Sequence, residues 1–130
     1  MQAKAVIVKV VRNITFFARD HLPFTIELFS DDFFQAWQDK VTVQDIFNRE
    51  ITLGGAISFG YLDGNHQYEF VKRDFENLHQ WLVPGGFIFL DDSAAHIDTG
   101  MHRVAKEISV RNDYTLVMKN PNYLFRRTGR

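Results

Sequence analysis

The chain has 130 residues, enough for a single hydrophobic core, and a formal net charge of −1 at pH 7. Without a broad Lys/Arg face or a long apolar run, the sequence argues against nucleic-acid binding and against membrane insertion. Cysteine is absent, which excludes disulfides and thiolate metal sites, and without a signal peptide we expect a cytoplasmic protein.

The N-terminal part has weak patterns. Apolar side chains recur at helical spacing in residues 3–20 and favour a helix, although a β-branched run within it is more typical of a strand. Residues 24–29 alternate as a strand does, and SDD at 30–32 is suited to cap a helix in the residues that follow. Residues 43–48 indicate a short helix or a loop.

From residue 56 onward strands and helices alternate clearly. Ile57–Leu62 is typical of a strand, and a helix with one apolar side follows it as far as residue 82. PGG at 84–86 is expected to end this helix, and residues 87–90, apolar on both faces, are typical of a central parallel strand. The remaining predicted elements are a helix at 100–110 and an antiparallel hairpin with strands at 114–119 and 123–127.

Acidic residues follow both predicted parallel strands. Asp63 ends the first strand, and Asp91 and Asp92 end the second. The carboxyl ends of parallel strands meet at one edge of the sheet, where the functional crevice of such folds lies. Three carboxylates repel one another unless a cation lies between them, and oxygen ligands suit Mg²⁺, which activates a bound hydroxyl. His66, three residues past Asp63, is placed to take the proton of that hydroxyl.

The same residues have a simpler interpretation. Asp-Gly and Asp-Asp-Ser are common wherever a strand turns or a helix begins. Either cluster alone favours turn chemistry, and the two together leave both interpretations open. Elsewhere, His79 is interpreted as a packed or half-exposed histidine, and the arginines at 126, 127 and 130 as a solvated tail.

The C-terminal motifs resemble those of class I S-adenosylmethionine-dependent methyltransferases. YLDGNHQYE at 61–69 with VKRDF at 71–75 is similar to the family's IDGDHSYE…VKRDF segment, and PGGFIFLDDS at 84–93 is similar to its following PGG…DD strand. The closing hairpin is similar to the sixth and seventh strands of that fold. The resemblance covers residues 56–127, whereas residues 1–55 match poorly, so we expect one partial domain. It implies an α/β fold: a truncated Rossmann-like methyltransferase sheet with parallel strands, flanking helices and a C-terminal antiparallel hairpin.

The resemblance also implies a chemistry. Metal-dependent O-methyltransferases of this superfamily hold a divalent cation with an aspartate after the fourth strand and an acidic or amide pair after the fifth. This implies Asp63, Asp91 and Asp92 as ligands of Mg²⁺ or a similar cation. It implies His66 as the general base when a methyl group moves from S-adenosylmethionine to a hydroxyl of a small molecule. Asn65 departs from the family's more usual aspartate.

The N-terminal part departs further from the family. The family's glycine-rich cofactor loop is missing, because the first glycines, Gly54, Gly55 and Gly60, all follow the predicted strand at 24–29. That strand resembles the family's third, and its SDD resembles the GDS turn beside the adenine, which implies Asp31, together with Asp63, as a cofactor contact. Without the family's first two strands the strand at 24–29 loses its neighbours, so we expect a homo-oligomer, or a missing N-terminal half.

Three functions are therefore open. The leading one is an O-methyltransferase that uses S-adenosylmethionine and a divalent cation. The missing glycine loop favours the alternative, a non-catalytic binding or assembly module derived from a methyltransferase half-fold. A metal-dependent hydrolase is permitted by the aspartates, but the flanking motifs do not indicate one.

Overall fold

The computed structural model describes residues 16, 20–94 and 100–129. The chain divides into two compact units, Met1–Gly54 and Gly55–Arg130. Within the described part of the chain, every helix is too short or too polar to cross a lipid bilayer.

The described part of the N-terminal unit, residues 20–54, contains a helix and a small hairpin. Helix α1 spans Ser30–Gln38, as SDD predicted, although no side chain caps it. Strand β1 (Thr42–Gln44) pairs antiparallel with strand β2 (Glu50–Thr52), so the segment expected as a short helix or loop is a strand end and a tight turn. Apart from residues 16 and 20, the helix predicted at 3–20 lies outside the described residues.

The prediction of a strand at 24–29 is wrong. The backbone of this segment instead forms hydrogen bonds with the turn between β1 and β2. The Thr25 carbonyl accepts a hydrogen bond from Ile46 N at 2.8 Å, and Thr25 N donates to the Asp45 carboxylate at 3.3 Å. The buried Asp45 carboxylate also accepts from the backbone and the guanidinium of Arg49. The Arg49 side chain, more than any other group, lowers the pKa of Asp45 to about 2. This polar cluster fixes the segment in an irregular conformation.

The C-terminal unit is a four-stranded sheet in the order β3-β4-β6-β5. Strands β3 (Ile57–Leu62) and β4 (Leu82–Leu90) are parallel, as the motifs predicted. Strands β5 (Tyr114–Lys119) and β6 (Tyr123–Arg127) form the predicted antiparallel hairpin, and β6 pairs antiparallel with β4. The α/β fold and its C-terminal hairpin are confirmed.

Two helices pack on one face of this sheet. Helix α2 spans Tyr68–His79, and helix α3 spans Gly100–Ser109. Gly60 interrupts a mostly apolar strand because the Leu78 side chain of α2 occupies the space that a Cβ would need. The core between the helices and the sheet consists of Val71, Phe75, Leu78, Ile88, Leu90, Met101, Val104, Ala105, Ile108 and Phe125.

Two predictions for this unit are wrong in detail. Helix α2 ends at His79, and PGG at 84–86 lies inside β4 rather than at a helix end. The paired residues change there from Ile57–Leu82 to Phe59–Phe87. Strand β4 has more residues than β3 between these two pairs, and its additional residues form an irregularity within the strand. Arg127 is not part of a solvated tail, because its guanidinium donates to the carbonyls of His79 and Leu82.

Candidate functional site

The paired strands β3 and β4 end at the same edge of the sheet. Leu62 is paired with Leu90, and Asp91 N donates to the Leu62 carbonyl at 3.0 Å, so the two strands stop in register. The residues that follow them, Asp63 on one strand and Asp91 on the other, are therefore neighbours. The expectation that parallel strands would bring these carboxylates to one edge agrees with this geometry.

Asp63, His66 and Asp92 form the centre of the candidate site. One ligand atom from each lies within 4.8 Å of the others, and His66 Nε2 is 3.3 Å from Asp92 Oδ2. The His66 and Asp92 side chains are each 43% exposed, so the group can be reached from solvent. Asp92 has a φ of +49°, in the left-handed region that aspartate tolerates better than most residues, and it lies in the turn that follows β4.

Asp91 contacts Asp63 of this group. A hydrogen bond between the Asp91 and Asp63 carboxyls is the main reason why the pKa of Asp63 is raised, with desolvation and the charges of Asp91 and Asp92 adding to it. Asn122 Nδ2 lies 3.5 Å from Asp91 Oδ1. The Asp63 carboxyl therefore binds a proton more readily than an isolated carboxyl does, and a cation at the same place would compete with that proton.

A network around Ser93 fixes the loop that carries the two aspartates after β4. The buried Ser93 hydroxyl donates to the Leu90 carbonyl at 2.6 Å and accepts from Tyr123 N at 2.8 Å. Ser93 N donates to Asn122 Oδ1 at 3.1 Å, and His102 Nδ1 lies 3.0 Å from the Ser93 carbonyl. Sequence reasoning missed Ser93 and Asn122, because a serine after Asp-Asp and an asparagine after proline are also ordinary turn residues.

The loop after β3 is fixed from the other side. Asn65 Oδ1 accepts a hydrogen bond from Gln67 N at 2.8 Å, so the residue that departs from the usual aspartate still forms the turn into α2. Gly100 N donates to the His66 carbonyl at 2.8 Å, and a side chain at position 100 would overlap the backbone of Tyr68. An open depression of about 540 Å³ adjoins this contact. It is lined by Asn65, His66, Gln67, Tyr68, Glu69, Gly100 and Arg103.

The structure therefore brings four of the five predicted site residues together. Asp63, Asp91, Asp92 and His66 lie at one edge of the C-terminal unit. Asp31 lies in the first turn of α1 in the N-terminal unit, and its contact with the cofactor remains a prediction.

The donors at this edge fit a divalent cation. Two carboxylates and an imidazole offer oxygen and nitrogen ligands, and Asp91 adds a third carboxylate beside them. A six-coordinate Mg²⁺ places opposite ligand atoms about 4.2 Å apart. The 4.8 Å limit for the group is slightly wider, so small side-chain rotations are enough to close it around an ion.

Comparison with known proteins identifies one family. A family model described as "Methyltransferase domain" matches residues 4–93, which is more than half of the chain. The matched range contains all five residues predicted for the site and ends just after the two aspartates that follow β4. No curated protein and no solved structure matches the chain.

Proposed function

The chain belongs to the methyltransferase domain family, and we propose that it transfers a methyl group from S-adenosylmethionine to a hydroxyl of a small molecule with the help of a divalent cation. The main support is the group of Asp63, His66 and Asp92, with ligand atoms within 4.8 Å of one another at the carboxyl ends of two parallel strands. In α/β sheets this edge is where ligands bind.

Asp63, Asp91 and Asp92 would hold the cation. The hydrogen bond with Asp91, burial and the charges of Asp91 and Asp92 raise the pKa of Asp63. Repulsion among the three carboxylates is relieved when a positive charge lies between them. A cation bound there would supply the positive charge that orients an acceptor hydroxyl and makes it more acidic. The same acidic edge suits S-adenosylmethionine, which is itself cationic at its sulfonium and ammonium groups, and Asp63 is the residue we assign to that contact.

His66 would remove the proton of the acceptor hydroxyl. His66 lines the open depression, where an acceptor can enter, and its Nε2 lies 3.3 Å from Asp92 Oδ2. A carboxylate at that distance orients the ring and stabilises the imidazolium that forms when His66 takes the proton. Holding the acceptor in the depression beside this base would supply much of the rate.

Calorimetric titration of S-adenosylhomocysteine, with and without Mg²⁺, is the first test. Binding at micromolar concentration, tighter when Mg²⁺ is present, is expected if Asp63 and its neighbours serve both the cofactor and the cation. Absence of binding in both conditions would sink the proposal and favour a non-catalytic methyltransferase relative.

We also propose that two copies of the chain associate through an exposed edge of the sheet. Strand β3 is at the edge of the described sheet, and Phe59 and Tyr61 on it are 55% and 52% exposed. Open strand edges with apolar side chains are prone to pair with another chain. Mass measured in solution at micromolar concentration is expected to show a dimer that weakens in a Phe59→Ser variant. A monomer mass for the unmodified chain would contradict it.

A further inference from the structure

We propose that Arg103 binds an anionic group of the methyl acceptor, a carboxylate or a phosphate, in the depression beside His66. This inference rests on the proposed function, and it narrows the acceptor to a hydroxylated anion. Neither the family match nor the sequence motifs include Arg103, which lies on α3 beyond the matched residues.

The proposed base and Arg103 line the same depression. Its volume of about 540 Å³ is within the range of roughly 300–1,000 Å³ that is usual for small-molecule sites. A ligand that places its hydroxyl at His66 can therefore extend towards Arg103 without leaving the depression. Contacts remote from the reacting atom are an effective way to orient it.

The Arg103 guanidinium lies over an aromatic ring. Its central carbon lies 3.7 Å from the centroid of the Tyr68 ring. The Tyr68 hydroxyl donates to Glu107 Oε1 at 2.6 Å and accepts from Lys72 Nζ at 3.1 Å, so the ring that supports the guanidinium is itself fixed. A guanidinium that contacts an aromatic ring through its face keeps its N–H groups directed outward in its plane. Those donors match the two oxygens of a carboxylate or phosphate.

No described carboxylate neutralises the charge of Arg103. Among residues 20–94 and 100–129, no carboxylate lies within ion-pair distance of its guanidinium, and the nearby Glu107 is already bonded to Tyr68 and 3.8 Å from Lys72 Nζ. Glu69 also lines the depression and opposes an anion, but it lies one helical turn before Arg73, the favourable spacing for an ion pair. The charges that line the depression therefore favour an anion at Arg103, and the effect of Glu69 is part of the test.

The test compares three small probes in the absence of cofactor. Para-hydroxybenzoate, its neutral amide and phenyl phosphate are titrated into the full chain and followed by protein NMR. Either anion is expected to bind at least about tenfold more tightly than the amide, because hydrogen bonds between charged groups are the stronger ones. Preference for the carboxylate or for the phosphate identifies which anion the acceptor carries. Equal binding of the amide and both anions overturns the proposal.

Variants assign the preference to Arg103. Arg103→Gln is expected to abolish the discrimination between anion and amide, and Arg103→Lys to restore part of it. Lys106→Gln, which removes an exposed positive charge on the same helix outside the lining of the depression, is the matched control and should leave the preference unchanged. Glu69→Gln should strengthen anion binding slightly. If Arg103→Gln keeps the full preference, the proposal is wrong.

The two proposals fail in different ways. Binding of S-adenosylhomocysteine tests the proposed function and should be the same in Arg103→Gln as in the unmodified chain. If the homocysteine derivative does not bind but the anion preference depends on Arg103, the anion site stands without the methyltransferase reaction. If it binds but no anion preference exists, the anion site alone is refuted.

Discussion

Helix α2 has a histidine paired with an aspartate near each of its ends, and the two pairs differ in everything around them. His66, just before the helix, lies 3.3 Å from Asp92, and His79, its last residue, lies 3.7 Å from Asp113. The side chains of the first pair are each 43% exposed, whereas those of the second are 24% and 26% exposed. A His–Asp pair by itself therefore indicates neither a reactive site nor a structural one.

The surroundings of His79 are those of a structural contact. Its Nδ1 lies 2.7 Å from the buried Tyr114 hydroxyl, and Asp113 accepts from Arg111 at 2.7 Å. Burial, followed by the charges of Arg127 and Arg111, lowers the pKa of His79, and burial raises the pKa of Tyr114 to about 12. These groups join the end of α2 to the start of β5. At His66 the neighbours are carboxylates and an open depression, which leaves donors and acceptors available to a ligand.

Replacing the two histidines in turn should give the largest contrast. His66→Gln is expected to reduce methyl transfer roughly 100- to 10,000-fold, since a positioned general base is worth about that much. Mg²⁺ affinity should stay nearly the same if His66 is a base. His79→Gln should leave the transfer rate at the level of the unmodified chain. The assay is transfer of labelled methyl to an acceptor found by screening hydroxylated acids, and a large loss of Mg²⁺ affinity in His66→Gln would show a ligand instead.

Replacing the aspartates should show that the two ends of α2 differ in their affinity for Mg²⁺. Asp63→Asn combined with Asp92→Asn is expected to weaken Mg²⁺ binding more than about tenfold, because even groups outside the ligand shell matter that much. Asparagine keeps the shape of the turns and tolerates the left-handed conformation at position 92. Asp113→Asn is the matched control and should bind Mg²⁺ normally in the same calorimetric titration. Unchanged binding in the double variant would support plain turn chemistry.

The structural role of the second pair predicts a smaller effect on stability. Tyr114→Phe removes the hydroxyl that bonds His79 and should lower the free energy of unfolding by about 1 kcal/mol. Urea unfolding measures this change, and Mg²⁺ affinity should not move with it. A variant as stable as the unmodified chain would show that the His79 contact contributes nothing.

The contribution of His79 to the pH dependence of the free energy of unfolding is the smallest of the expected effects. Because the pKa of His79 is lower in the folded chain than its usual 6.5, the unfolded chain binds more protons as the pH falls through that value. The contribution of His79 therefore makes the free energy of unfolding fall below about pH 6.5. Urea unfolding across this range should show a shallower fall in His79→Gln, and identical pH profiles would argue against a lowered pKa.

The sequence was sufficient for those parts of the fold that depend on local patterns. Ile57–Leu62 and the closing hairpin have the predicted bounds, and α3 begins at Gly100 as expected, because alternation, apolar spacing and turn residues agree there. The segment at 24–29 also alternates, but its backbone is bound by Asp45 and Ile46, about twenty residues later in the chain. Such a distant competitor leaves no trace in a local pattern.

The candidate site was predictable to the same extent. Asp63 and Asp91 could be placed together because parallel strands that pair also end together. Asn122 could not, since it reaches the Asp91–Ser93 turn from a hairpin about thirty residues later. Arg103 gave no signal either, because nothing in a helical sequence shows that its side chain contacts Tyr68 on another helix.

Gly100 allows the start of α3 to lie directly against the loop after β3. Its amide bonds the His66 carbonyl, and any side chain there would overlap the backbone of Tyr68. An alanine at this position would push the start of α3, and Arg103 with it, away from His66, the proposed base. Relatives that keep both the histidine and the arginine should therefore have glycine at the matching position, whereas relatives with larger residues there should have lost this pairing of base and arginine and act on other molecules.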